Sequence, residues 1–328
     1  MQKIHRRDHI ARWLVMGLIL LGTGIAQSQS FPTRPVRVIV AFPPGGGTDI
    51  VARLVGQRLS EMWSQQVLID NRAGAAGTIG TEAAARATPD GHTLFMGTLG
   101  NLAVNQHLYP KMTVNPITEF APITQVVDVH FVMVAHPSLA ARNVTELIAL
   151  AKARPGQIPY SSSGAGGAPH LGVELFKSIA KIDLTHVPYK GSAGSFQDLL
   201  GGQVMLTTDS IVQALPYIKN DKLRAIAVLG PSRSPVLPDV PTIAESGLPG
   251  YALTNWFGLV APAATPSEVI AKIQGDVVRV LQQTDIRDKL SAMGATAVGN
   301  SSEQFGANIR EDSAKWAKLI REVGIRAE

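Results

Sequence analysis

The 328-residue sequence predicts an α/β protein of two lobes, each a sheet flanked by helices, with two extended crossings joining them. Three observations predict it. From Val36 onward, β-branched runs alternate with amphipathic stretches, the pattern of βαβ units on a parallel sheet. The chain is longer than one hydrophobic core usually serves. The alternation also runs through two series, separated by a long extended stretch after Phe120.

The first series opens with the strand Val36 to Ala41, which Pro43-Pro44-Gly45-Gly46-Gly47 ends. A helix follows from Thr48 or Asp49, with Ile50, Leu54, Val55 and Leu59 on one face. The strand Val67 to Ile69, the loop Asn71 to Gly77, a helix over Ile79 to Ala87 and the strand His92 to Met96 complete it.

After an extended run from Ile123 to Ala135, the second series is expected to hold helices at Thr145 to Ala153, His170 to Ile179, Ser195 to Leu200 and Ile211 to Ile218. Its strands fall near Pro159 to Ser162, Leu184 to Pro188, Met205 to Thr208 and Leu223 to Val228. A Pro- and Ser-rich loop, Ser232 to Gly250, leads to an extended stretch from Tyr251 to Val260. Two long helices close the chain, Ser267 to Met293 with a break near Thr284, and Ser302 to Val323. The second series is complete without them, so they are expected to return to the first. Residues 31–128 plus 253–328 then form lobe I and 129–252 lobe II, with a cleft between them where ligands of α/β folds usually sit.

Residues 1–26 read as a cleaved export signal. Lys3, Arg6, Arg7 and Arg12 precede the apolar run Trp13 to Leu21, and small residues to Ala26 close it. That run is too short for a membrane span, which needs roughly 20 residues. Cleavage near Ser30 is the alternative, and Arg6-Arg7 leaves a twin-arginine route open. Removal of the leader takes four basic groups and Asp8, so the formal charge of +5 falls to +2. A nearly neutral surface without basic clusters argues against a nucleic-acid partner. The absence of cysteine excludes disulfides, thiolate chemistry and a lipid-modified cysteine. The mature protein is expected to be a soluble monomer in the periplasm.

Four glycine- and serine-rich turns join strands to helices: Pro43 to Asp49, Asn71 to Gly77, Ser161 to His170, and Pro188 to Ser195. At such a turn the unpaired amides of the next helix point outward with the positive end of the dipole behind them, and the natural guest is an anion. A hydrogen bond to a charged group nets roughly 1.5 to 3 kcal/mol, so four to six approach the ~8 kcal/mol of micromolar affinity without an arginine. Each turn also has a plainer reading. Gly45 to Gly47 can be an ordinary connection and Ser161 to Gly164 a capping loop. Gly74, Gly77 and Gly80 lack the spacing of a dinucleotide loop, and no Gly-Lys-Ser/Thr follows any glycine. His170 is either a packing or capping residue or a site residue. Lys190 reads as a solvated side chain beside a functional turn, and Asp49 as a cap. Asp209 is either a cap for the helix at Ile211 or a ligand-facing acceptor. No nucleophile elbow, paired-carboxylate motif or metal cluster is visible, so neither an enzyme nor a cofactor is expected.

The chain resembles the extracytoplasmic receptors of tripartite tricarboxylate transporters, the Bordetella uptake gene (Bug) family. The resemblance rests on Pro35 to Asp49, Asn71-Arg72-x-Gly74-Ala75-x-Gly77, Pro89 to Leu94, Ser161-Ser162-Ser163-Gly164-x-Gly166 with His170-Leu171, Val187 to Gly191, Leu237 to Gly247, and Trp256 to Pro262. It implies a hinged, periplasmic-binding-protein-like fold whose two lobes grip one carboxylate through backbone amides and waters. The family pattern assigns one side of the grip to Phe42, Pro44, Gly45, Gly46 and Gly47, to Gly74, Ala75 and Gly77, and to Thr98. The other side falls to Ser163, Gly164, Ala165, Gly166 and His170, and to Tyr189, Lys190 and Gly191, with Asp209 at the far end of the ligand. The implied cargo is a small organic carboxylate, whether a di- or tricarboxylate, an amino acid or an aromatic acid. The implied partners are integral membrane transporter subunits, or alternatively a sensor kinase.

Overall fold

The computed structural model describes residues 31–323, so the predicted leader lies outside the described residues. The first strand, β1 (Val36–Val40), buries every residue except Arg37 and pairs in parallel with β2 (Val67–Asn71) and β3 (Thr93–Thr98). Between β1 and β2 runs α1 (Gly47–Trp63), which buries Val51, Val55, Leu59 and Trp63 at helical spacing and ends where Ser64 turns left-handed. A second helix, α2 (Thr78–Ala85), precedes β3.

The longest strand is β4 (Phe120–Ala135), preceded by the short helix α3 (Pro116–Glu119). Along Phe120 to His130 it pairs antiparallel with β9 (Thr254–Pro262), which also pairs with β3. From Phe131 onward it changes partners, to β7 (Leu206–Ser210) and β8 (Arg224–Val228). There β7 leads in parallel to β5 (Pro159–Ser162) and on to β6 (Thr185–Pro188). A single strand therefore passes from one sheet into the other, and the fold is the two-lobed α/β architecture predicted. On the second sheet ride α4 (Val144–Ala153), α5 (Ala168–Ala180), α6 (Ser192–Leu200) and α7 (Ile211–Lys219).

The closing helices are α8 (Ser267–Gln282), α9 (Thr284–Ala292) and α10 (Ser302–Val323), and the expected break falls at Gln283. Both α8 and α10 pack on β4, and α8 also packs on α1. There Asp276, fully buried on α8, accepts from Trp63 Nε1 at 2.6 Å and from Lys272 Nζ at 2.5 Å, with Arg279 as a third donor.

Several elements differ from the sequence expectation. The helix expected over 79–87 spans Thr78–Ala85, and the one expected from Ser195 starts at Ser192, three residues earlier. Gly194, inside the turn expected over Pro188 to Ser195, is absorbed into the first turn of α6. The strand expected at 205–208 extends to Ser210, which makes Asp209 a strand residue rather than the cap of α7. The wide turn Gly100–Val104 and the strand β10 (Ala295–Ala297), antiparallel to Val127–Val129, carry no periodic signal and were not anticipated.

Candidate functional site

Two turns end their helices in the same way. At α1 the N-cap is Gly46, and Asp49, the third helical residue, reaches back so that Gly45 N–H donates to its Oδ2 at 2.9 Å. At α5 the N-cap is Gly167, and His170, again the third residue, accepts the Gly166 N–H on Nδ1 at 2.9 Å. Both resemble the return half of a capping box, but with a glycine cap that has no side chain to cover the helix end. The preceding amide is taken up internally, and the first helical amides are left facing outward.

These two ends meet in one crevice of about 500 Å³ of empty space, counting its mouth. Gly46, Gly47 and Thr48 line one side, and Gly167, Ala168 and Pro169 the other. Ser192, the first residue of α6, and Ser210, the N-cap of α7, also line it, so four helix N-termini converge there. Each brings a partial positive charge of roughly half a unit. The floor is built on strands: Phe131 of β4, and Asn255 and Phe257, which share one face of β9 at a spacing of two.

Local backbone strain supports one wall. Ala75 and Ala76 are both left-handed, at φ 46° and 49°, which costs alanine of order 1–2 kcal/mol per residue. The Ala76 carbonyl is held by Asn105 Nδ2 at 3.0 Å. Asn101 in turn accepts the Thr98 hydroxyl at 2.9 Å. Ala76, Thr98 and Gly100 all line the crevice.

The crevice is electrostatically one-sided. Among the described residues, Asp209 is the only one lining it with an ionisable side chain. Burial pushes its carboxyl up to about 6, although the nearby Ser192 and Ser210 groups pull the other way. Its Oδ1 accepts the Ser210 N–H at 2.7 Å, while its buried Oδ2 makes no well-aligned hydrogen bond and has the Ser192 and Ser210 hydroxyls nearby. The Asn255 Oδ1 is similarly unpaired. Behind the second wall, His170 stacks on His186 with ring centroids 4.0 Å apart, and His186 Nε2 meets Ser162 Oγ at 2.7 Å. Burial drops the His170 pKa to about 4, with Glu174 opposing the shift, so the ring is neutral and free to accept from Gly166. For Asp49, burial raises the pKa, but Arg53, the Gly45 amide and Asn71 outweigh it and hold the carboxyl below its ordinary value.

Of the residues singled out in the sequence, Phe42, Gly46, Gly47, Thr98, Ser163 and Asp209 line the crevice. The others lie around it. Pro44, Gly45, Ala75 and Lys190 are exposed, and Gly74 receives the Gly77 N–H in the strained turn. Gly164 backs onto Ala76, Ala165 is half-buried, and Gly166 is tied to His170. Tyr189 donates its hydroxyl to Asp198 at 2.5 Å, and Gly191 packs against Pro43. Sequence reasoning did not single out Ala76, Ser192, Ser210, Phe131, Asn255 or Phe257. The predicted crossings pass through the last three, and Phe257 also falls in the stretch Trp256 to Pro262 that carries the family resemblance. Among the described residues no group of three His, Cys, Asp or Glu could hold a metal, and no helix is long and apolar enough to cross a membrane.

Residues 51–325 match the profile of the Tripartite tricarboxylate transporter family receptor. The chain belongs to this receptor family. Protein BugT of Bordetella pertussis is 35% identical over 316 residues, covering 95% of this chain and 97% of BugT. An R. palustris protein solved with adipate superposes at a TM-score of 0.88 with 37% identity, covering 90% of this chain and 99% of its own. MatC from Rhodopseudomonas palustris with bound malate superposes at 0.85 with 32% identity, covering 88% and 100%. Tripartite tricarboxylate transporter receptors are periplasmic solute-binding proteins, not enzymes, and the Bug relatives share the two-lobed fold described above.

Proposed function

We propose that this receptor captures a small organic carboxylate in the crevice and delivers it to a tripartite tricarboxylate-type membrane transporter. One observation carries the reading: four helix N-termini converge on a crevice that, among the described residues, no lysine or arginine lines. Only an anion small enough to sit among peptide amides gains from that arrangement. The solved relatives with adipate and malate support the same chemical class.

In this reading residues 31–128 plus 253–328 form lobe I and 129–252 lobe II, and they hinge where β4 and β9 cross. Residues 1–26 direct export to the periplasm and are removed. The carboxylate is gripped by Gly46, Gly47 and Thr48 on one lobe and by Ser163 and Ala168 on the other. The turns holding Gly74, Gly77, Gly164, Gly166, Tyr189 and Gly191 shape the walls.

Native mass spectrometry of the gently purified mature protein is expected to reveal a retained acid, and calorimetry with that acid a Kd in the micromolar range or below. Ser163→Ala should then weaken binding by about 1–3 kcal/mol with little change in melting temperature. Silence across mono-, di- and tricarboxylates, or an affinity indifferent to Ser163, would remove the basis of the reading. The transporter step is tested by capture of the membrane subunits on immobilised receptor, expected only when it is loaded.

A further inference from the structure

Two buried asparagines close on one backbone carbonyl. Asn101 lies in the wide turn Gly100–Val104 and Asn105 directly follows it, 1% and 0% exposed. Asn105 Nδ2 donates to the Ala76 carbonyl at 3.0 Å, and Asn101 Nδ2 reaches the same oxygen at the long distance of 3.5 Å. Asn101 also accepts the Thr98 hydroxyl, so the pair brackets two residues of the crevice wall while neither asparagine lines the crevice. Among the described residues, Asn105 Oδ1 finds no hydrogen-bond partner. A buried amide with one end unanswered costs the fold stability, which turns attention to what its other end holds.

It holds a turn that alanine disfavours. Ala75 and Ala76 both have left-handed backbone, at φ 46° and 49°, and without a restraint such a pair relaxes towards right-handed or extended conformations. Ala76 is the residue of this turn that lines the crevice, and the opposite wall arrives at the same place. A notional Cβ on Gly164 would stand 3.1 Å from the Ala76 Cα and Cβ and 3.3 Å from its N. The position of the Ala76 backbone therefore sets how closely the two walls approach beside a guest. Resting on the carboxylate reading above, we infer that Asn105 is a positioning residue for cargo binding. It does not touch the acid; it keeps the Ala75–Ala76 turn left-handed, so that Ala76 meets Gly164 at the crevice wall.

The test pairs a loss with a rescue from a second position. Mature protein freed of carried ligand is titrated with benzoate, malate, adipate and citrate, and the tightest-binding acid is carried through the variants. Asn105→Ala is expected to weaken it about tenfold or more. Adding Ala75→Gly, which favours left-handed backbone from an exposed position, should recover at least about threefold. Amide exchange in the ligand-free protein should follow the same order: faster across residues 72–80 in Asn105→Ala, slowed again in the double variant, and unchanged in β8. An asparagine that merely fills the core would not be rescued by a glycine outside it. Unchanged affinity in a folded Asn105→Ala overturns the inference and leaves the carboxylate reading intact, as does a loss that Ala75→Gly fails to recover. Should Asn105→Ala not fold, Ala75→Gly in the wild-type chain decides: relief of the left-handed alanine raises the melting temperature by about 1–3 °C, and the absence of a rise overturns the inference. Failure of all four acids to bind the wild type overturns the carboxylate reading and the binding role with it, while the exchange result still decides whether Asn105 holds the turn.

Discussion

Gly191, in the turn after β6, lies so close to Pro43, in the turn after β1, that a Cβ on Gly191 would come within 2.3 Å of the proline Cδ. Gly164 stands in a similar relation to Ala76, with a notional Cβ 3.1 Å from its Cα. Turns from the two sheets thus meet through glycine at two points. The approach depends on the missing side chains.

Gly191→Ala should therefore be doubly unfavourable, since its φ of 136° also resists an L side chain. Denaturant melts should show a loss of about 1–3 kcal/mol. Gly275→Ala is the matched control: that glycine lies inside α8 with nothing within 4 Å of a notional Cβ. It should gain about 0.5–1 kcal/mol from helix propensity alone. Equal effects of the two substitutions would refute the packing argument.

The turns were readable in sequence because their chemistry is local. A β-branched run ending in Pro43-Pro44-Gly45-Gly46-Gly47 can hardly be anything but a strand, a bend and a helix start, and Asp49 sits where a capping carboxylate belongs. The floor was not readable. Alternation along β9 puts Asn255 and Phe257 on one face, but which face meets a cleft depends on the pairing of Val129 with Asn255 and Val127 with Phe257, distant in sequence. Ala76 was hidden for the opposite reason, since alanine is a poor choice for left-handed backbone and only the grip of Asn105 makes it tenable. Asp209 was half readable: its residue type suggested a cap or an acceptor, and only the extra length of β7 decides against the cap.

Asp276 ties α8 to α1 through Trp63, and its replacement should be felt as stability rather than binding. Burial raises its pKa, but Lys272, Trp63 and Arg279 together hold it below its ordinary value. Both basic partners are partly exposed, which discounts the charge contribution. Asp276→Asn is expected to cost about 1–3 kcal/mol at neutral pH. A depressed carboxyl stabilises the fold above its unfolded pKa and loses that contribution as pH falls through the folded value. The wild-type advantage over Asp276→Asn should therefore shrink below about pH 4 in paired melts.

His170 and Asp209 should give the free protein two opposing pH dependences over nearly the same range. The His170 pKa is lowered to about 4, so its stabilising contribution is complete above about pH 6.5 and drains away as the pH falls towards 4. At about 1.4 kcal/mol per unit, the swing approaches about 3 kcal/mol. Asp209 is raised to about 6, so it favours the fold most below about pH 4 and loses that contribution as pH rises through 6, again by up to about 3 kcal/mol. In the wild type the two slopes largely cancel, and single substitutions should uncover each. His170→Gln keeps an acceptor for the Gly166 N–H without titrating, so stability should fall with rising pH between about 4 and 6. Asp209→Asn should show the reverse, with stability climbing from about pH 4 to 6.5 and exceeding the wild type at neutral pH. Urea melts at half-unit intervals would read both, and parallel profiles for the two variants would contradict the assignment of either group.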